Sequence, residues 1–180
     1  MDATRITVAN LQDAAELESL YRESYGALLE TNYSADLLQQ ALPLLCRVNT
    51  GLIEAGTYFV AREANERIVG GGGWSFSEPG SISGKPRHAH LRHFAILPDK
   101  VRCGIGRSLF EACRTAAHDV RVFECISTRT AVPFYRALGF RTVKRTAVPL
   151  AADLAFPSIH MIRLPEGTLA RSGMLCREEV

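Results

Sequence analysis

Apolar residues along this 180-residue chain recur with two periods, every second residue and every third or fourth, and the order in which the periods alternate predicts the elements. Arg5 to Ala9 alternates as a short strand, and Leu11 to Leu29 has helical spacing through Leu17, Leu20, Tyr21 and Leu28. Ser34 is placed to cap a second helix from about Ala35 to Arg47, with Leu37, Leu38, Ala41, Leu44 and Leu45 as its apolar stripe and Pro43 expected to kink or shorten it. Two strands, Thr57 to Arg62 and Arg67 to Phe76, flank a polar turn at Asn65 and Glu66 and predict an antiparallel hairpin. Four consecutive glycines, Gly70 to Gly73, weaken a strand by themselves. They fit best where backbones pack closely or bulge, with a ligand-facing stretch as the lesser alternative. Glu78 to Arg87, rich in Pro, Gly and Ser, predicts a mobile surface loop that could border a substrate cleft.

From His88 the pattern becomes strand (to about Leu97), glycine turn, helix (Ile105 to His118), strand (Val120 to Ser127), helix (Ala131 to Leu138) and strand (Arg141 to Val148). A strand, a crossover helix and a second strand make parallel neighbours, so the fold class is α/β in the broad sense that includes α+β. Gly139 stands where a helix C-terminus favours glycine, and a last strand near Ser158 to Leu164 closes the domain. One domain over residues 1–166 is expected, followed by a polar tail over 167–180.

Composition narrows the class further. The 21 Lys and Arg against 19 Asp and Glu leave a charge of +2, so neither nucleic acid nor membrane is expected as a partner. Five widely spread cysteines without a C-x-x-C pair read as reduced thiols, and the N-terminus has no basic stretch leading into an apolar run. Both point to the cytoplasm.

The candidate chemistry begins at the glycine turn. Gly104 and Gly106 lie between an apolar strand and an amphipathic helix, where first-turn amides without intrahelical acceptors, together with the helix dipole, can hold phosphate. A P-loop would need Lys then Ser or Thr after the second glycine, where this chain has Arg107 and Ser108. A dinucleotide fingerprint would need Gly or Ala at position 109, which is Leu109.

The run from Pro98-Asp99 through Gly104-Ile105-Gly106-Arg107-Ser108-Leu109 resembles the acetyl-CoA signature of the GNAT superfamily of N-acyltransferases. Pro133-Phe134-Tyr135-Arg136-Ala137-Leu138-Gly139-Phe140 resembles that family's second element, Phe-Tyr-x-x-x-Gly-Phe, at the expected distance and after another strand. The resemblance spans residues 5–164, with the specific motifs in 88–148. It implies a GNAT-like fold: a mixed, mostly antiparallel sheet of six or seven strands with a central parallel pair and helices on both faces. It further implies an acetyltransferase that uses acetyl-CoA as donor and a small-molecule or protein amine as acceptor, needs no metal, and often forms homodimers.

On the same resemblance, the coenzyme would contact Phe94, Ala95, Ile96, Arg102, Cys103, Gly104, Ile105, Gly106, Arg107, Ser108, Thr128 and Phe134. Val101 stands where the family usually has Gln or Arg, and Thr128 where it usually has Asn, so backbone amides from Arg102 to Ser108 would do most of the binding. Direct attack of the amine on the thioester needs a base, an oxyanion donor and an acid for the thiolate. His90 occupies the position of the family's proton-relaying residue, with His93, Glu78 or water as substitutes. The Ile96 amide would receive the oxyanion, and Tyr135 would be the general acid. Strand alternation puts His88, His90 and Arg92 on one face and His93 on the other, so the three histidines cannot serve one site without a bulge, which argues against a zinc ion. A covalent route through Cys103 or Cys125 is the less economical reading. Transfer of a longer acyl group, or a non-catalytic acyl-CoA sensor or interaction domain, are the alternatives.

Overall fold

The computed structural model describes residues 4–77 and 84–165; the expected tail over 167–180 and most of the 78–87 loop lie outside the described residues. In chain order the elements are β1 (Arg5–Val8), a 3-10 turn (Leu11–Asp13), α1 (Ala14–Leu29), α2 (Ala35–Leu45), α3 (Thr50–Glu54), β2 (Tyr58–Arg62), β3 (Ile68–Ser75) and β4 (His88–Ile96). A second 3-10 turn (Pro98–Lys100), α4 (Ile105–Ala116), β5 (Val122–Thr128), α5 (Val132–Ala137), β6 (Arg141–Ala151) and β7 (Leu154–Arg163) complete them. The seven strands form one sheet in the order β1-β2-β3-β4-β5-β7-β6, with β4 and β5 its parallel pair and every other pairing antiparallel. This is the mixed sheet that the resemblance implies.

Helices cover both faces, and the glycine run of β3 shows how closely. A Cβ on Gly70 would lie 2.9 Å from Ile105 of α4, while one on Gly71 would lie 3.1 Å from Leu17 of α1. The Gly72 and Gly73 positions are equally full, against the Phe94 ring and the Tyr58 side chain. Close backbone packing therefore accounts for all four glycines. The main core runs through both layers, from Leu17, Leu20 and Tyr21 under α1 to Leu109, Phe110 and Cys113 under α4. A smaller cluster of Leu29, Tyr33, Leu38, Ala41 and Phe156 seats α2 on β7.

Several boundaries differ from expectation for identifiable reasons. α2 stops at Leu45 rather than Arg47, with Pro43 in its last turn. The one-turn helix α3 is too short to show a period. β7 begins at Leu154, four residues earlier than expected, because Pro149 and Pro157 mask a hairpin that lies at the sheet's outer edge.

Candidate active site

The site is organised by an irregularity in β4. Gly71 of β3 pairs with Ala95 but Gly73 pairs with Arg92, so three steps on β4 match two on β3 and His93–Phe94 bulges. His93 has φ 49°, and the bulge is pinned from the α1 side. Tyr58 Oη donates to the His93 carbonyl at 2.8 Å, Tyr21 Oη donates to Tyr58 Oη at 2.6 Å, and the His93 ring stacks on Tyr21 with centroids 5.7 Å apart. The bulge thus corrects the alternation argument: His93 lies on the α1 side, as do His90 and Arg92. Burial and the neighbouring Arg92 push its pKa down to about 4, so it stays neutral at physiological pH. That makes it a poor substitute for His90 as the base.

Parallel pairing of β4 with β5 covers only His88–Val122, Ala89–Phe123 and His90–Glu124. Beyond His90 the two strands part. The Leu97 N–H donates to Val69 of β3 at 3.0 Å, and successive amides in a strand point to opposite sides, so the Ile96 amide is directed to the side that β5 has left. Of the residues expected at a coenzyme, Ala95 is buried in the core, while Phe94 and Ile96 are half-buried.

Past this gap the chain turns through Arg102 (φ 65°) and Gly104 (φ 84°) into α4. Gly104 caps α4 without a side-chain hydrogen bond, so its first-turn amides have no side-chain acceptor. Arg102, Cys103, Gly104, Arg107 and Ser108 are exposed on this turn, Gly106 is half-buried, and the Ile105 side chain is core, leaving only its backbone for a ligand. Arg107 donates to the Ala137 carbonyl at 3.2 Å, which ties α4 to α5. Thr128 Oγ1 accepts from the Ala131 amide at 3.3 Å and starts α5.

α5 brings Phe134 and Tyr135 to the gap beside Phe94. The Phe94 ring centroid is 6.2 Å from Phe134 and 6.4 Å from Tyr135, and Tyr135 also packs edge-on against Phe140 at 5.4 Å. Tyr135 is buried, and its hydroxyl has no hydrogen-bond partner among the described residues. Burial raises its pKa well above the usual tyrosine value, so it keeps its proton.

On the opposite face sits a cluster that the sequence reading did not single out. Buried Glu124 accepts from His160 Nε2 at 2.7 Å and pairs with His88 Nδ1 at 3.0 Å, with His90 as its neighbour across the parallel ladder. Burial alone would raise the Glu124 pKa. Its bonds to His88 and His160 and the adjacent His90 outweigh that and hold it below the usual carboxylate range. A lone glutamate in the apolar run Val122–Ile126 was the available signal. His90 itself is buried, at 3% exposure. Glu78, the other suggested substitute, lies outside the described residues. Among the described residues no group of three or more His, Cys, Asp or Glu could hold a metal ion, and no helix is long and apolar enough to cross a membrane.

Comparison with known proteins agrees with this geometry. The chain superposes on a GCN5-related N-acetyltransferase from Rhodopseudomonas palustris with TM-score 0.71 and 17% identity, covering 91% of this chain and 97% of that one. It superposes on the PaiA N-acetyltransferase of Thermoplasma acidophilum, solved with coenzyme A, with TM-score 0.67 and 14% identity, covering 90% and 99%. A GNAT family acetyltransferase from Brucella melitensis, solved with acetyl-CoA, gives TM-score 0.55 and 20% identity over 78% and 84%. At these identities the likeness establishes the fold. A comparison with curated protein sequences finds no match. The family model described as "Acetyltransferase (GNAT) domain" matches residues 44–149, more than half of the chain and the whole stretch from the end of α2 through the bulge, the glycine turn and α5, so the chain belongs to the GNAT acetyltransferase family.

Proposed function

We propose that this protein is an N-acetyltransferase that moves an acetyl group from acetyl-CoA to an amine by direct attack within a ternary complex. The observation that carries the reading is the parting of β4 from β5 between the uncapped start of α4 and the Tyr135 hydroxyl. The coenzyme complexes of the Thermoplasma and Brucella proteins support the choice of donor.

The pyrophosphate rests on the amides of Arg102 to Ser108, where helix-terminal N–H groups supply positive potential, and Arg102 adds charge. The pantetheine arm follows the gap past Phe94, Ala95, Phe134 and Thr128. The thioester carbonyl accepts from the Ile96 amide, which is oriented before the reaction begins. His90 takes the proton of the attacking amine, directly or through one bridging water, and Glu124 with His88 and His160 balances the charge that arises. As the tetrahedral intermediate collapses, Tyr135 donates its proton to the departing coenzyme A thiolate. Cys46, Cys103, Cys113 and Cys125 are free thiols, in keeping with a reducing cytoplasm.

Calorimetry with acetyl-CoA and a thiol-release assay over a panel of amines test the proposal. Acetyl-CoA binding with amine-dependent release of thiol is expected. Binding without transfer to any amine would leave a sensor, and no binding would refute the reading altogether.

A further inference from the structure

A cavity of about 360 Å³ lies on the β3 side of β4, between α3 and the C-terminal end of β3. Asn49 and Leu52 line it from around α3, Thr57 from the start of β2, Trp74 and Phe76 from β3 and the residues after it, and Arg92 from β4. It holds none of the residues assigned above to the coenzyme. Resting on the acetyltransferase reading, we infer that this cavity recognises the acceptor, and that the acceptor is an amine carrying a carboxylate, an amino acid or a close relative, with Arg92 as the anchor for the acid group.

The charge balance of Arg92 is the first argument. Arg62, whose side chain is 12% exposed, is neutralised by Asp13 at 2.6 Å, as a buried guanidinium ordinarily is. Arg92 is half-buried, yet its hydrogen-bond partner among the described residues is the neutral Ser75 Oγ at 3.0 Å, and no carboxylate pairs with it there. Burial pulls its pKa below the usual arginine value, the sign of a cation partly stripped of water without an anion in return. A guanidinium keeps its charge under such stress and offers a fork of donors matched to a carboxylate.

Position is the second argument. Arg92 and His90 lie two residues apart on the same face of β4, about 6.6 Å along the strand. A molecule whose amine and acid groups are a few bonds apart can set the acid on Arg92 with its amine toward His90 and the bulge. Phe76, which lines the cavity, is exposed and packs edge to face on buried Trp74 at 5.0 Å, and it offers apolar surface for a side chain at the cavity's edge.

The test offers acetyl-CoA with each standard amino acid and its C-terminal amide to the wild-type protein, Arg92→Gln and Arg92→Lys, while calorimetry follows acetyl-CoA binding to all three. The amide's amine has the lower pKa and is more fully unprotonated at neutral pH, so a preference for the free acid reports the anchor. We expect at least one free acid, one with an apolar side chain, to exceed its amide in kcat/KM by about 10- to 100-fold, chiefly through KM. Arg92→Gln should erase that preference, Arg92→Lys should keep part of it, and both should bind acetyl-CoA as the wild type does. If amides serve as well as acids, if no amino acid is acetylated, or if Arg92→Gln keeps the preference, the inference fails although acetyl-CoA binds. If wild type does not bind acetyl-CoA, the acetyltransferase reading fails and this inference with it.

Discussion

The two halves of β4, which border the proposed reaction space, are built by opposite means. Past the bulge, Phe94 to Ile96 and the turn into α4 offer backbone: an amide aimed at the gap, an uncapped helix start, and glycine where a chain must turn with φ of 84°. Before the bulge, His88 to Arg92 offer side chains, and their partners come from two other strands, Ser75 of β3 and Glu124 of β5, with His160 of β7 holding Glu124 in turn. A donor whose pyrophosphate and thioester never change can be held by fixed dipoles. An acceptor site must suit one particular molecule, and side chains can be exchanged without moving the backbone. A substitution past the bulge should therefore act on thioester chemistry or coenzyme, whereas one before it should act on acceptor and pH dependence.

The largest effect is expected at Tyr135. Phenylalanine keeps the ring contacts with Phe94, Phe134 and Phe140 and removes only the proton donor. Turnover should fall by about 10²- to 10⁴-fold, roughly 3 to 5 kcal/mol of barrier, with acetyl-CoA affinity and melting temperature little changed. Wild-type turnover at every pH would remove Tyr135 from the chemistry, and lost stability with unchanged specific activity would make it a packing residue.

His93 sharpens the boundary between the halves. Its pKa falls from 6.5 to about 4 in the folded protein, so below pH 6.5 the unfolded chain binds a proton that the folded one refuses. Its contribution to stability is full above pH 6.5 and is lost as the pH falls toward 4, about 3 kcal/mol over that window. His93→Asn, which tolerates the positive φ and does not titrate, should flatten the acid limb of melting temperature against pH. An unchanged limb would mean that other groups set acid stability.

Glu124 tests the other half. Glu124→Gln leaves His88 and His160 beside a neutral amide, so turnover should drop about 10- to 100-fold and the acidic limb of the kcat profile should move, with Glu124→Asp recovering part of the loss. A lowered melting temperature with an unshifted pH profile would assign Glu124 to structure alone. The native ion pairing is lost as pH falls below the ordinary glutamate range, so the two proteins should converge in stability in strong acid.

The same division decides what could be read from the chain. Gly104 to Leu109 and Phe134 to Phe140 are contiguous, and motifs that shape backbone leave their trace in consecutive residues, so the family and the fold class with its central parallel pair were legible. Glu124 meets His160, and Arg92 meets Ser75, only through strand register. Alternation alone put His93 on the wrong face because no local signal located the bulge, which depends on Tyr58 and Tyr21 reaching it from 35 and 72 residues away in sequence.

The smallest and most discriminating effect lies within the glycine turn, where Gly104 and Gly106 look alike in sequence and differ in structure. A Cβ at Gly104 would meet nothing within 4 Å, but its φ of 84° strains any L residue, so Gly104→Ala should cost about 1 kcal/mol of stability through the backbone. A Cβ at Gly106 would lie 2.7 Å from the Phe134 ring and must push that ring toward Phe94 and Tyr135. Valine at 106 would therefore disturb the packing of α5 as well as the approach of a phosphate, and alanine is the better probe at both positions. Gly104→Ala should weaken acetyl-CoA binding several-fold with kcat little changed, since it alters the cradle and not the reacting atoms. Gly106→Ala should lower kcat too, because Tyr135 shares the displaced aromatic cluster. Calorimetry and steady-state rates on the two variants give the answer, and equal effects on Kd and kcat at both positions would show that the turn and the aromatic cluster act as one unit.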